Sequence, residues 1–189
     1  MILFGLVYLS HDLSAQFDSL TISGSLRVLV GDEIYIPQEV SIDINHFYRF
    51  ELTDSLGNFK FDNLKPGSYR LNARGFGYET LDTMIVLKDN ALPNLSLLLK
   101  VKCDVDKYIA EQDLKKKKPR LLLIGSIAPI YYKNQKYFER KFRIKYYDYG
   151  DTPPAMECVV QYNRRIFDYL DSKYGKNWRQ EVRQDVIGL

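Results

Sequence analysis

Leu52–Thr80 reads LTDSLGNFKFDNLKPGSYRLNARGFGYET. Two turn signals punctuate it. In Asp54–Asn58, Gly57 offers the positive φ that a hairpin turn needs. In Leu64–Ser68, Pro66 presets φ and Gly67 is expected in the left-handed position of a type II turn. Between the turns, Phe59 and Phe61 alternate with Lys60. After them, Tyr69, Leu71 and Ala73 alternate with Arg70 and Asn72. A period of two with one apolar face predicts half-buried antiparallel strands.

The same rhythm extends in both directions. Leu26, Val28 and Val30 share a face, as do Val40, Ile42 and Ile44, then Phe50 and Leu52. Downstream come Leu81, Ile85 and Leu87, then Leu95, Leu97 and Leu99. About seven short strands between Ile22 and Val101, closely spaced with turn signals, predict a β-sandwich.

The stretch also matches a family pattern: T-D-x-x-G-x-F-x-F, then L-x-P-G-x-Y-x-L, then G-Y-x-T. It resembles the carboxypeptidase regulatory-like domain, a transthyretin-like β-sandwich, over residues 21–100, which implies a first domain spanning residues 21–101. The resemblance implies a non-catalytic folding, spacing or docking unit. It transfers no active site, because the matched residues belong to turns and core.

From Arg120 the periodicity changes. Residues 102–119 read as a charged linker closed by Pro119, in which four consecutive lysines, Lys115–Lys118, are either solvated linker or the end of a helix. Leu121–Ile124 begins a continuous apolar run, as in a strand buried on both faces. Asn134 is placed to cap a short helix in which Phe138 and Phe142 share a face. Ile144–Gly150 reads as a second strand, completing a βαβ unit with parallel strands. Asp151 or Thr152 is then placed to cap a long helix with Pro153 at its first position. Met156, Val159, Val160, Asn163, Phe167, Leu170 and Tyr174 form its stripe, with Arg164 and Asp168 positioned to pair outside. Gly175 ends it. Asn177 and Gln180 suggest a capping box for a last helix carrying Trp178, Val182 and Val186. Residues 120–189 thus form a small α/β lobe with two C-terminal helices. The phrases FERKFRIKYYDYG and YNRRIFDYLDSKYGKNWRQEVRQDVIGL resemble the C-terminal portion of short bacterial envelope proteins that also begin with a signal and a carboxypeptidase regulatory-like domain. That resemblance implies no particular activity.

Charge divides the chain unevenly. Residues 16–99 carry 7 Lys+Arg against 11 Asp+Glu, a net of −4; residues 100–189 carry 20 against 12, a net of +8. Two lobes that attract each other, or a basic lobe that meets an anionic partner, would both follow. The start, MILFGLVYLSHDLSAQ, holds an apolar run too short to span a bilayer and resembles a secretory signal over residues 1–15. Export to the periplasm, the outer-membrane surface or the medium is the expectation.

The chemistry is narrow. There are two histidines, His11 and His46. None of the sequence motifs for a nucleophile elbow, a zinc protease, a P-loop or a dinucleotide fold occurs. No metal and no cofactor is assigned. Cys103 and Cys158 either form a disulfide stapling the lobes, as two cysteines in an exported chain usually do, or remain buried thiols. A small ligand would bind at the C-terminal ends of the parallel strands, at Ser126 after the first and Asp148, Tyr149 and Asp151 after the second. The competing account has Asp151 capping a helix, Asp148 pairing with a nearby cation and Ser126 satisfying loop backbone. Nucleic acid is not expected, since Tyr108 is the one aromatic near the lysine run. Two functions remain. One is a non-catalytic envelope protein presenting a basic lobe to an envelope protein or an anionic envelope polymer. The other is an enzyme with its site in the α/β lobe.

Overall fold

The computed structural model describes residues 19–45, 49–88, 94–101, 103–125 and 132–189. The signal-like start, His46 and Ser126 lie outside these residues. Among the described residues the first lobe has eight strands: β1 Leu20–Val30, β2 Glu33–Tyr35, β3 Ser41–Ile44, β4 Arg49–Leu52, β5 Asn58–Leu64, β6 Gly67–Arg74, β7 Leu81–Leu87 and β8 Leu95–Leu99. They form two mostly antiparallel sheets. In one, β1 pairs antiparallel with β5 through Leu20–Ser25 and with β2 through Val28–Val30, while β8 runs parallel along Gly24–Val28. Because β8 overlaps both other partners, β2 and β5 must share the opposite edge of β1. The other sheet runs β4-β3-β6-β7. Apolar residues of both sheets, including Ile22, Leu26, Phe61, Ile42 and Leu71, are buried in one continuous core. This is the two-layer arrangement that the alternation predicts.

The quoted turns work differently from expectation. β4 and β5 belong to different sheets, and so do β5 and β6. Both turns therefore arch from one sheet to the other instead of closing hairpins. Gly57 does have positive φ, at 74°. Asp54 closes that turn, its carboxylate accepting from the amides of Leu56 at 2.9 Å and Asn58 at 2.8 Å. Those amides favour the ionised form, and the bond from Asn58 lowers the Asp54 pKa most. Gly67, by contrast, is not among the positive-φ residues; Asn63, within β5, is, at 59°. The connection is Lys65–Pro66 alone, with the bend at Pro66 and Gly67 already the first residue of β6.

Strand register decides a face that periodicity misassigns. Phe50 lies opposite Asp43, and Leu52 opposite Ser41, whereas Ile42 and Ile44 face Glu51 and Arg49. Phe50 and Leu52 therefore sit on the outer face of an edge strand and are exposed, 64% and 67%. On β6, Asn72 lies on that same outer face, opposite Asp43, and is buried there nonetheless.

Within the stretch expected as a linker lies helix α1, Lys107–Lys115. Asp106 caps it, accepting from the amide of Ile109 at 2.8 Å. Ala110 is buried against helix α3, Met156–Tyr174. The lysine run is the tail of this helix. Strands β9, Arg120–Leu123, and β10, Lys145–Asp148, pair in parallel around helix α2, Gln135–Phe142. Leu121, Leu122 and Leu123 are all buried, as a strand covered on both faces requires. The free edge of β9 is occupied. Asn163 of α3 accepts from the Leu122 amide and donates to the Leu122 carbonyl, both at 2.9 Å, and Val186 bridges to Leu123.

The caps depart from the sequence reading. Asn134 stands at the start of α2 but its side chain makes no capping bond. α3 begins at Met156, after Ala155, so neither Asp151 nor Thr152 caps it. Arg164 pairs with Glu33 at 3.3 Å, not with Asp168. The last element is a short 3₁₀ helix, Lys176–Gln180, which starts before Asn177 and has no side-chain cap. Gly175 does terminate α3, with φ of 67°. Helix α3 buries more than one stripe. Cys158, Gln161, Tyr162 and Ile166 are covered as well, because the helix packs between β9, α1, the 3₁₀ helix and the first lobe.

Candidate functional site

The lobes meet along the N-terminal half of α3. Cys158 is joined to Cys103 by a disulfide, with Cα atoms 5.8 Å apart. One turn further on, Gln161 is buried and donates to the Val30 carbonyl at the end of β1, at 2.9 Å. Glu157 is buried and accepts from the Tyr78 hydroxyl through both oxygens, at 2.7 and 2.8 Å. Burial, and then this carboxylate, push the Tyr78 phenol far above its usual pKa, so it is a fixed donor. Gly77 has φ of 81°, and a Cβ there would stand 2.5 Å from the Ala155 amide nitrogen. The glycine lets the second lobe's backbone approach. The G-Y pair of the quoted stretch thus holds the lobes together.

Among the described residues two ion pairs also cross the junction, Lys107 to Asp32 and Arg164 to Glu33. They are largely exposed, and such pairs contribute little. Opposite net charge is therefore not what docks the lobes; buried polar bonds, apolar packing and the disulfide do so.

Beside this junction opens a cleft of about 330 Å³. From the first lobe, Gln38, Glu39, Phe76 and Tyr78 line it. From the second come Ile124, Gly125, Gly150 and Asp151, at the C-terminal ends of β9 and β10, and then Pro153, Pro154 and Met156. Of the residues expected at a crevice, Asp151 lines it and makes no ion pair among the described residues. Asp148 does not open into it. Its carboxylate lies against Gly125 and accepts from the Gly150 amide at 2.9 Å, shaping the loop. Tyr149 packs edge-on against Tyr147, with centroids 4.9 Å apart, and burial pushes its phenol up to about 12. It is no stacking wall.

Gln38, Glu39, Phe76 and Tyr78 went unrecognised in the sequence. Phe76 had one usable signal, a large aromatic between two glycines, and it is 62% exposed at the cleft. Glu39 is held at φ of 51°. That conformation costs a non-glycine residue roughly 1–2 kcal/mol. Among the described residues no group of three or more His, Cys, Asp or Glu is placed to hold a metal ion.

No family model matches the chain, and none of the curated proteins does. Solved structures offer distant likenesses. A minor pilin of Streptococcus agalactiae shares 14% identity over 44% of this chain at a TM-score of 0.38, and the match covers 45% of the pilin's length. A type II cohesin–X-dockerin complex from Acetivibrio cellulolyticus shares 14% over 60% of this chain and 80% of the other, at 0.37. The Bacillus anthracis TIE protein shares 18% over 56% and 19%, at 0.33. Likenesses at this level carry no argument about activity or partner. No helix among the described residues is long and apolar enough to cross a membrane.

Proposed function

We propose that the chain is a non-catalytic binding protein of the bacterial cell envelope. Its first lobe, a β-sandwich of the carboxypeptidase regulatory-like type, holds the basic α/β lobe in a fixed orientation toward a protein or polymer partner. The observation that carries this reading is the junction. A disulfide, a doubly bonded Tyr78–Glu157 pair, the buried Gln161–Val30 bond and the glycine contact at Ala155 join two lobes of different architecture into one body. A rigid joint suits presentation: surfaces on both lobes keep their relative positions, which lowers the ordering cost of binding. The test is capture of a partner from envelope extract by the full chain, reconstitution of the complex with the purified partner, and footprinting of the bound chain. Protection over residues 120–189 supports the reading. Protection confined to the first lobe, or release of a chemically altered small molecule, overturns it.

A second reading is favoured by the cleft. Asp151, Glu39 and Gln38 beside Phe76 and Met156 supply acceptors and an apolar wall, the mixture that small-molecule sites use. A hydroxyl-rich ligand would accept that environment. Loss of ligand binding in Asp151→Asn with unchanged melting temperature supports it; unchanged binding refutes it.

A further inference from the structure

At the pole opposite the cleft, both helices flanking the parallel strands run out. The tail of α1 and the end of α2 converge on the N-terminal ends of β9 and β10, around a shallow depression of about 500 Å³. Its floor includes Pro119 and Ile144, both buried. Six cations line it: Lys117, Lys118, Arg120, Arg140, Arg143 and Lys145. Two are matched, Arg120 by Asp113 at 2.8 Å and Lys145 by Glu139 at 2.8 Å. The other four make no ion pair among the described residues, leaving a local excess of +4.

Helix electrostatics explain only part of this. Two helix C-termini together present roughly one negative charge. Lys115 and Lys116, next to the depression, already answer the α1 end, so the four cations exceed what the dipoles need. The backbone is informative too. Lys117 and Arg143 sit at φ of 58° and 53°, just past the ends of α1 and α2. Glycine is the unstrained residue at such positions. The chain keeps a cation at both.

We propose that this depression binds an acidic polysaccharide, which lies across the pole with its carboxylates on Lys117, Lys118, Arg140 and Arg143 and sugar C–H faces over the Pro119–Ile144 floor. The proposal rests on the binding-protein reading above and names one partner class for it. The floor is recessed, so a flat bilayer would meet only the rim. Among the described residues no aromatic side chain lines the depression, so nucleic-acid bases would find nothing there to stack on.

The experiment is titration of the full oxidised chain with polygalacturonate at 50 and 200 mM salt, with anionic vesicles (30% phosphatidylglycerol) and single-stranded DNA as parallel probes. Four phosphate-like contacts imply a salt slope of roughly −3, so affinity should fall roughly 50-fold across that range. Lys118→Glu with Arg140→Glu should bring the slope to roughly −1 or shallower and weaken binding at 50 mM at least tenfold. Both positions are exposed, so the melting temperature should hold. The control pair Lys173→Glu with Lys176→Glu, elsewhere on the surface, should bind as the native chain does. Equal loss in the control pair, tighter binding to DNA or vesicles, or no binding to polygalacturonate at 50 mM overturns the proposal. If the native chain captures a partner from envelope extract but does not bind polygalacturonate, or if the Lys118/Arg140 variant binds it as the native chain does, the polysaccharide site fails while the binding-protein reading stands; if the native chain captures nothing and binds no polygalacturonate, both fail.

Discussion

Substituting Gly77 by alanine should loosen the junction more than any other single methyl group. Two costs combine there. At φ of 81° an alanine pays roughly 1–2 kcal/mol for the left-handed conformation. Its Cβ would also meet Ala155 at 2.5 Å from the amide nitrogen, 2.7 Å from Cα and 3.0 Å from Cβ. Overpacking of this kind typically costs about 1–3 kcal/mol. The total is about 2–5 kcal/mol. Gly175 is the internal control. It has φ of 67° and nothing within 4 Å of an added Cβ. Its ψ of −178° lies outside the left-handed helical well, in a region that glycine alone adopts freely, so Gly175→Ala should show a conformational cost alone, roughly 1–3 kcal/mol. Urea denaturation of both variants, with the disulfide intact, gives the two values. Limited proteolysis between the lobes gives an independent readout, since Gly77→Ala should expose the segment around Ala155 and Gly175→Ala should not. Trimming the partner does not rescue, because the closest atoms are backbone; Ala155→Gly in the Gly77→Ala background should recover little. If Gly77→Ala costs no more than Gly175→Ala, or if Ala155→Gly restores stability, the close-approach reasoning is wrong.

The Cys103–Cys158 bridge closes a 55-residue separation, for which the chain-entropy model gives about 4 kcal/mol; reduction should lower stability by that order, and two free thiols counted under denaturing, non-reducing conditions would reject the bridge. Tyr78→Phe strands a buried carboxylate and should cost about 1–3 kcal/mol, while Tyr78→Phe with Glu157→Leu should cost less than the sum of the single changes in a double-mutant cycle. Because buried groups and a disulfide hold the junction, the radius of gyration by X-ray scattering should be the same at low salt and 1 M salt; expansion at 1 M would restore charge as the docking force. The Arg183 bond holds Asp185 below its usual pKa, and the Arg179 bond does the same for Asp171. A depressed carboxylate contributes stability that is present above its unfolded value near 3.9 and lost as pH falls through the folded value. Stability should therefore drop as pH falls below about 4, and Asp185→Asn should flatten that drop; an unchanged acid limb would show that the pair contributes nothing.

Local chemistry was legible in the sequence where it does not depend on a distant partner. Alternation in Leu26–Val30, Val40–Ile44 and Phe59–Phe61 placed those residues in the core, because a strand's two faces are fixed by its own period. The apolar run at Leu121–Leu123 and the Phe138–Phe142 spacing likewise marked the parallel unit. Registers and junctions were decided only in three dimensions. Phe50 and Leu52 alternate as well as any core pair, yet pairing with β3 turns them outward. Gly57 announces a tight turn, but whether a turn closes a hairpin or crosses between sheets depends on which strand pairs next. The cleft was half visible. Strand order placed it at the ends of β9 and β10, which the sequence could supply, whereas its other wall comes from Gln38–Glu39 and Phe76–Tyr78, more than 40 residues earlier in the chain. Four lysines in a row read as a solvated linker or a helix end, since a charge run carries no information about what folds beside it; only the parallel pairing of β9 with β10 sets Lys117 and Lys118 next to Arg140 and Arg143.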